Sequence, residues 1–283
     1  MIWAMSGTLL VVGTPIGNLE DLSARARRVL GEVAVVACED TRRTGRLLER
    51  IGVRARLLSY FEGNEAARVP ELLALLRAGS DVALVTDGGM PSVSDPGYRL
   101  VAACVEAGVP VDVVPGPSAA VAALVVSGLP TDRFVFEGFL PRSGRARAER
   151  LAALARDQRT AVLFESPRRT PATLADLAAR CGPGRRACLC RELTKLHQEV
   201  LRGTLGDLAA SMAGRELKGE VAIVVEGAPP EAGDLASAVR HAAELAAAGA
   251  RKREAARTAA AVAGVSASAV YAALAAGRDG RKE

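Results

Sequence analysis

The chain is poor in the residues that build several common kinds of site. Aromatic residues make up 3% of its 283 residues, and the only histidines are His197 and His241. So few aromatic rings disfavour a nucleic-acid surface built on stacked bases. So few imidazoles argue against a zinc site. We therefore predict no bound metal.

Cysteine and long apolar runs are also scarce. Five cysteines, an odd number, are scattered through predicted strands and helices, which is typical of free, buried thiols in a reducing cytoplasm. No stretch approaches the ~18 uninterrupted apolar residues of a membrane span. The amino terminus lacks the basic and long apolar regions of a signal peptide. We expect a cytoplasmic protein without a membrane segment, starting at Met1 or Met5.

Two nucleotide-binding fingerprints are missing. No G-x-G-x-x-G follows the first predicted strand, and no G-x-x-x-x-G-K-[ST] occurs anywhere. A dinucleotide-binding Rossmann domain and a P-loop enzyme are therefore both disfavoured.

Basic residues are clustered. The net charge is only +5, but residues 141–150 hold four arginines and one glutamate, and the segment from Arg251 onward holds seven basic and three acidic residues. Two such patches on a nearly balanced chain favour a polyanionic partner. Solvated helix faces explain them equally well.

Apolar runs alternate with helical patterns five times before residue 128. Predicted strands cover 8–13, 33–38, 56–60, 81–86 and 109–114. Five helices are predicted between and after these strands. The first starts at Asp21, the second covers 42–50, and the third is capped by Asn64 and ends at Ala78. The last two cover 96–107 and 118–127. This alternation predicts an α/β fold with a five-stranded, mostly parallel sheet.

The fourth predicted strand is followed by an unusual loop, TDGGMPSVSDPG over 86–97. The loop lies at the carboxyl end of a strand, where open α/β sheets bind ligands. Three other strand-end loops, TPIGN, CEDTRR and PGPSA, are similarly rich in polar and turn residues. We predict one ligand crevice along this edge, with an ordinary connector as the alternative. Within the loop, we expect 86–90 to contact the ligand and Asp95 to cap the next helix.

Beyond residue 128 several strands follow one another without long helices, which predicts a smaller mixed sheet. We expect an amino-terminal α/β domain over 1–129, a second over 130–227, a linker over 227–234, and a helical, basic extension over 235–283. Within the extension, Ala260, Gly264 and Val270 fall at helix-turn-helix positions. A plain helical hairpin is nearly as compatible.

Eight motifs occur in order across residues 7–227: GTPIGNLED, CEDTRR, TDGGMPSVSDPGYRLV, PGPSA, LPTDRFVFEGFLPR, ESPRR, CRELTK and KGEVAIVVEG. The series resembles the tetrapyrrole-methylase-like (class III) S-adenosylmethionine-dependent methyltransferases. Within them it is similar to the bacterial enzymes that methylate the ribose 2′-hydroxyl of a cytidine in the decoding region of 16S ribosomal RNA. One departure is Gly88, where alanine is more usual; both residues are small.

The resemblance implies two α/β domains of the tetrapyrrole methylase type with the cofactor between them, a homodimer, and small-subunit ribosomal RNA or the assembled 30S subunit as partner. It also implies the S-adenosylmethionine contacts, which are Leu10, Pro15, Asp87, Gly88, Gly89, Met90, Ser118, Ala119, Phe164, Lys218, Gly219 and Ala222. The chemistry agrees, because a carboxylate accepts hydrogen bonds from ribose hydroxyls and glycines allow close backbone approach. The alternative for Asp87 is a turn-initiating role.

A ribose hydroxyl is a poor nucleophile until a base takes its proton. Candidate bases at the predicted strand ends are Glu39, Asp40, Glu165 and Lys195. Glu39 and Asp40 precede two arginines, so an ion pair or a helix cap is a serious alternative for them. The sequence favours no single base.

Several basic residues are placed where phosphate contacts would be useful. They are Arg42, Arg43, Arg142, Arg145, Arg168, Arg169, Arg251, Lys252 and Arg253. Simple solvation is an equal alternative for each.

Two other functions remain open. A methylase of a corrin or porphyrin precursor would share the fold, but would not require the basic tail and the arginine loop. A non-catalytic nucleic-acid-binding protein would leave the four polar loops unexplained.

Overall fold

The computed structural model describes residues 6–229 and 235–276. Met1, Met5, most of the predicted linker and the last seven residues of the basic tail lie outside this description. The described residues form two compact units, the first made of 6–155 and 159–226 and the second of 156–158, 227–229 and 235–276. In neither described stretch is there a helix with the length and apolar character that a membrane crossing requires.

The first sheet has five strands, all parallel, as predicted. In chain order they are β1 Leu9–Val12, β2 Val35–Cys38, β3 Leu57–Ser59, β4 Val82–Val85 and β5 Val111–Val114. Their spatial order is β3-β2-β4-β1-β5. Helices alternate with the strands: α1 Ala24–Glu32, α2 Thr41–Arg50, α3 Glu65–Arg77, α4 Tyr98–Glu106 and α5 Ala119–Ser127.

The central strands β2 and β4 are buried throughout. Leu84 and its neighbours pack into one apolar cluster with Leu72 and Leu100, while Val85 packs into another with Leu30 and Leu48. A parallel strand covered by helices on both faces needs an uninterrupted apolar run. This requirement explains the sequences VVAC and VALV.

The second sheet is mixed, also as predicted. Its strands are β6 Phe134–Phe139, β7 Thr160–Glu165, β8 Arg186–Arg191, β9 Glu199–Thr204 and β10 Val221–Val225. Their order is β6-β7-β10-β8-β9, with only β6 and β7 parallel. Three further helices accompany it: α6 Gly144–Arg156, α7 Thr170–Cys181 and α8 Leu205–Met212.

Helix α5 connects the two sheets. It follows the first sheet in the chain, yet Ala123 and Leu124 pack against Val162 and Val224 of the second sheet. The PGPSA loop at its amino end is thereby held beside both sheets. Where the domain borders fall remains a prediction.

One predicted helix start, at Asp21, and one predicted helix cap, by Asn64, are wrong. The first helix starts at Ser23, whose hydroxyl accepts the Ala26 N–H, while Asp21 ends a separate short 3₁₀ turn. Asn64 stands at the start of α3 but does not cap it. Its side chain instead accepts the Phe61 N–H and donates to the Ser59 carbonyl, which closes the preceding turn.

The expectation that Asp95 caps the following helix is also wrong. The cap position of α4 is Gly97, whose φ of 143° suits only glycine. The Gly97 N–H donates at 3.0 Å to the carboxylate of Glu65, a buried residue on α3. A side chain distant in sequence therefore satisfies the helix amino terminus, and Asp95 is left for another role.

The described part of the extension, 235–276, contains three helices, α9 Leu235–Ala247, α10 Lys252–Ala263 and α11 Ala267–Ala276. Their small core is built mainly from alanines, among them Ala242 and Ala259, together with Val270. Gly264, in a left-handed conformation, ends α10. The helix-turn-helix interpretation remains a prediction.

Candidate functional site

The predicted crevice is a cavity of about 680 Å³ in the first unit. All four polar strand-end loops contribute lining residues, represented by Pro15, Arg43, Asp87 and Ala119. Parallel strands bring their carboxyl ends to one edge of a sheet, and this is why loops far apart in sequence meet here. The second sheet contributes Phe139 of β6, the end of β7, Cys190 of β8 and the start of β10.

Three strand-end loops, those after β1, β4 and β5, contact one another through their backbones at the wall of the cavity. Thr14 and Gly89 exchange two backbone hydrogen bonds of 2.9 and 3.0 Å. Gly13 lies so close to Gly116 that a Cβ at position 13 would stand 2.6 Å from the Gly116 Cα. No side chain fits between these loops, so glycine is required at both positions.

One buried hydroxyl beside the cavity has no partner. Thr86 lines the cavity and is 3% exposed, and its Oγ1 makes no hydrogen bond within the described part of the chain. Leaving a buried polar atom unsatisfied is costly. A polar ligand that reached this hydroxyl would supply the missing partner.

Asp87 is held in place by its neighbours. Its carboxylate accepts the Asp40 N–H at 3.2 Å and pairs with Arg43 Nη1 at 2.8 Å, and 24% of its side chain is exposed. The loop of β4 is thereby tied to the start of α2, and one face of the Asp87 carboxylate remains accessible.

The two adjacent candidate bases on the β2 loop have different surroundings. Hydrogen bonds from Arg42 lower the pKa of Asp40 to about 2, and its carboxylate caps α2 by accepting the N–H groups of Arg42 and Arg43. Burial raises the pKa of Glu39, and the nearby Asp87 raises it further. Neither residue lines the cavity. The structure therefore favours the helix-capping role for Asp40, which is one of the alternatives that the sequence left open.

Glu165 lines the cavity, but its carboxylate is buried and is hydrogen-bonded to other groups of the protein. It is 1% exposed and accepts three hydrogen bonds, from Arg169 Nη2 at 2.9 Å, Thr173 Oγ1 at 2.7 Å and the Ser166 N–H at 2.7 Å. Arg169 also donates to the Leu140 carbonyl. These contacts favour a structural role for Glu165, and the same role for Arg169 in place of phosphate binding.

Lys195 also lines the cavity, between two carboxylates. Its Nζ lies 2.7 Å from Glu192 Oε1 and 2.8 Å from Glu220 Oε2. Burial opposes the charge, but the two hydrogen bonds outweigh it and raise the pKa of Lys195. An ammonium group that stays protonated is a poor proton acceptor at neutral pH, so these contacts favour a cationic role for Lys195 over that of a base.

Asp95, assigned to capping by the sequence, lines the cavity instead. Burial raises its pKa to about 7, and the carboxylates of Glu39, Asp87 and Glu220 add to the effect. Its own loop is strained, because Ser92 and Ser94 both have positive φ values, of 71° and 62°. Such strain clusters at functional sites.

An aromatic pair forms the apolar side of the cavity. Phe164 meets Phe139 edge to face at 5.8 Å, and both line the cavity with Ala222. Phe139 was missed from the sequence because a bulge in β6 after Phe136 changes the alternation of its side chains.

Three arginines of α2, Arg43, Arg46 and Arg50, line one side of the cavity. Their spacing of three and four residues places them on one helix face. Arg46 and Arg50 are exposed and make no ion pair within the described residues. Neither arginine was predicted from the sequence, although the spacing of three and four residues is visible there.

Four other predicted phosphate ligands of the first unit, Arg42, Arg142, Arg145 and Arg168, do not line the cavity. Arg42 pairs with Asp40, Arg145 pairs with Glu149, and Arg142 and Arg168 are exposed. In the second unit, the Arg253 guanidinium lies 5.9 Å from the centre of the Tyr271 ring. Arg251 and Lys252 stand at the amino end of α10.

The twelve residues predicted to contact the cofactor divide into two groups. Those lining the cavity are Pro15, Asp87, Gly88, Ala119, Phe164, Gly219 and Ala222. Those behind or beside the lining are Leu10, Gly89, Met90, Ser118 and Lys218. Ser118 accepts the Val121 N–H and caps α5, and Met90 Sδ approaches Gly13 closely. The second group supports the lining more than it forms it.

Comparison with known proteins identifies the family. Residues 8–209 match the family described as Tetrapyrrole (Corrin/Porphyrin) Methylases. The ribosomal RNA small subunit methyltransferase I of Mycobacterium tuberculosis (strain CDC 1551 / Oshkosh) is 50% identical over 252 residues, which is 88% of each chain.

Solved structures agree. The uroporphyrin-III-C-methyltransferase of Thermus thermophilus is 27% identical with a TM-score of 0.57, over 78% of this chain and 94% of that one. Another structure of that Thermus thermophilus enzyme, complexed with S-adenyl homocysteine, is 25% identical with a TM-score of 0.55, over 78% and 97%.

This chain therefore belongs to the tetrapyrrole methylase family. Within that family, its similarity is to the proteins named ribosomal RNA small subunit methyltransferase I. The series of motifs predicted both the family and this branch, and the comparisons confirm both.

Proposed function

We propose that this protein transfers a methyl group from S-adenosylmethionine to the ribose 2′-hydroxyl of a cytidine in the decoding region of 16S ribosomal RNA, by resemblance cytidine 1402. Methylation of small-subunit ribosomal RNA follows from the relatives' shared name. The identity of the modified nucleotide and of the methylated oxygen goes beyond that name and belongs to the proposal.

The residues of the cavity fit S-adenosylmethionine. A volume of about 680 Å³ is in the range of small-molecule sites. The backbone of the glycine loops offers amides and carbonyls at close range, and Thr86 Oγ1 lacks a partner. Asp87 can accept hydrogen bonds from hydroxyl or ammonium groups, and Phe164 with Ala222 can cover apolar surface. A relative of the same fold is known with S-adenyl homocysteine bound.

The bound cofactor supplies a methyl group on a positively charged sulfur. The protein has to orient it, exclude competing water and position the acceptor oxygen in line, which is where much of the rate enhancement arises. Asp87, fixed by Arg43, would orient the cofactor. The buried network around Glu165 would keep Phe164 and the end of β7 rigid.

The arginine face of α2 supports a polyanionic acceptor, and the similarity to a ribosomal RNA methyltransferase supports RNA as that polyanion. Arg46 and Arg50 line the cavity, are exposed and make no ion pair with any residue that the structure describes, so they would meet a polyanion there. A carboxylated tetrapyrrole is also a polyanion, so the arginines alone do not decide between the two. The 50% identity to a ribosomal RNA methyltransferase favours RNA.

The test offers methyl-labelled cofactor with three acceptors in separate reactions. The acceptors are small ribosomal subunits that lack the modification, naked 16S RNA and a reduced uroporphyrin-type tetrapyrrole. We expect label in RNA and none in the tetrapyrrole. Label in the tetrapyrrole alone would establish the alternative methylase, and cofactor binding without transfer to any acceptor would indicate a non-catalytic protein.

Assembly is part of the proposal. By resemblance, the protein works as a homodimer in the cytoplasm, with domain borders near 129 and 227. Light scattering on the purified protein should give twice the chain mass. A monomer at working concentration would contradict the dimer without affecting the proposed reaction.

A further inference from the structure

Four carboxylates line the cavity, and three of them are already occupied. Asp87 pairs with Arg43, Glu220 pairs with Lys195, and Glu165 accepts three hydrogen bonds. Asp95 is the one lining carboxylate without a hydrogen bond or an ion pair among the described residues.

The fold keeps Asp95 free. A carboxylate just before a helix would normally cap it, but here the Glu65 carboxylate already binds the Gly97 N–H. The positive φ values of Ser92 and Ser94 hold the loop in a shape that an extended chain would not adopt. Gly138 of β6 packs against this loop, since a Cβ there would come within 3.2 Å of Ser94 Oγ. These contacts hold the loop that carries Asp95.

The charges around Asp95 suit a proton acceptor. The groups facing it are the carboxylates of Glu39, Asp87 and Glu220, all of which disfavour its ionised form. Among the cations that line the cavity, Arg43 and Lys195 are engaged by Asp87 and Glu220, and Arg46 and Arg50 lie on α2. A pKa of about 7 makes a carboxylate a stronger base than usual, while a large fraction remains ionised at neutral pH.

We propose that Asp95 is the general base that takes the proton from the attacking ribose hydroxyl. The inference rests on the proposed function. The ribose oxygen forms a bond to the methyl carbon, the carbon–sulfur bond breaks with its electron pair left on sulfur, and the hydroxyl proton passes to an Asp95 oxygen. Asp95 is half-buried, so it can release this proton to solvent after turnover.

The test compares wild type with Asp95→Asn and Asp95→Glu in single-turnover methylation of small ribosomal subunits from pH 5.5 to 9. General-base catalysis contributes typically 10²–10⁴-fold. We expect a loss of that size in Asp95→Asn and partial recovery in Asp95→Glu. The wild-type rate should rise about tenfold per pH unit below an apparent pKa near 7, and Asp95→Asn should lack this limb. Asp132→Asn, an exposed carboxylate outside the cavity lining, is the matched control.

Two readouts do not depend on turnover. Cofactor affinity and subunit affinity should change less than about threefold in Asp95→Asn, because the base contributes little to ground-state binding. The second readout is the stability of the folded protein as a function of pH. The folded-state pKa of Asp95, about 7, lies above its ordinary value of 3.8. Ionising Asp95 therefore destabilises the folded protein as the pH rises from about 4 to 7. The difference in Tm between Asp95→Asn and wild type should therefore change in favour of the variant across this window. Above the window the variant should keep the higher Tm.

The outcomes separate the two proposals. An active wild type with an equally active Asp95→Asn would overturn the role of Asp95 alone. A wild type that labels no RNA would overturn the proposed function and this inference with it. A slow Asp95→Asn that keeps the wild-type pH limb would also refute Asp95 as the base, because a merely positioning residue would leave the limb in place.

Discussion

Replacing Glu165 by glutamine should reduce stability much more than chemistry. A glutamine oxygen can still face Arg169 and Thr173, but its amide group then points at the Ser166 N–H, donor against donor. A hydrogen bond to a charged group contributes about 1.5–3 kcal/mol. Arg169 also loses its counter-charge, although its 29% exposure lets water compensate in part.

These effects together predict a loss of about 2–4 kcal/mol in the free energy of unfolding. For a unit of this size, that corresponds to a Tm lower by roughly 5–15 °C. The measurement is thermal unfolding with a parallel methylation assay at 20 °C, where most of the variant remains folded. The rate per folded molecule should stay within about threefold of wild type, because Glu165 takes no proton in this account.

The matched control is Glu149→Gln. Glu149 also pairs with an arginine, but the pair is exposed, with Arg145 at 91% and Glu149 at 60%. Such pairs contribute about 0–1 kcal/mol, so its Tm should hardly move. A Glu165→Gln variant with wild-type Tm and a rate lower by 10²-fold or more would refute the structural role and make Glu165 a catalytic group.

Three further variants test the cavity wall. Gly13→Ala places a Cβ 2.6 Å from facing backbone, so it should cost about 1–3 kcal/mol and weaken cofactor binding, whereas Gly184→Ala, with nothing within 4 Å, should do neither. Asp87→Asn should weaken cofactor binding about 10- to 100-fold by calorimetry, and an unchanged Kd would remove Asp87 from the site. Arg46→Ala should reduce the salt dependence of RNA binding by about one phosphate contact, whereas Arg28→Ala, in an exposed pair on α1, should not.

The sequence predicted most of the fold because its signals there are local. The runs VVAC and VALV are apolar at every position, and only a strand buried on both faces has that requirement. Gly52, Gly108 and Gly128 mark helix ends through their left-handed backbone, which is also a local property. The edge where the polar loops meet follows from parallel pairing alone.

The roles of individual carboxylates could not be predicted in the same way. Asp95 has the sequence context of a cap, and only the contact between Glu65 and Gly97, 32 residues apart, relieves it of that role. Glu165 resembles a strand-end base until Arg169 and Thr173 are seen to enclose it. Such assignments depend on tertiary contacts, which a single sequence does not display.

The central claim, methylation of a ribose oxygen, is tested most directly by alkaline hydrolysis of the labelled RNA. A 2′-O-methyl group removes the hydroxyl that attacks the adjacent phosphate, so cleavage fails at that one linkage. We predict that the label from small ribosomal subunits is recovered in a single alkali-resistant dinucleotide whose 5′ nucleoside is 2′-O-methylcytidine. Label recovered only in ordinary mononucleotides would place the methyl group on a base and contradict the account.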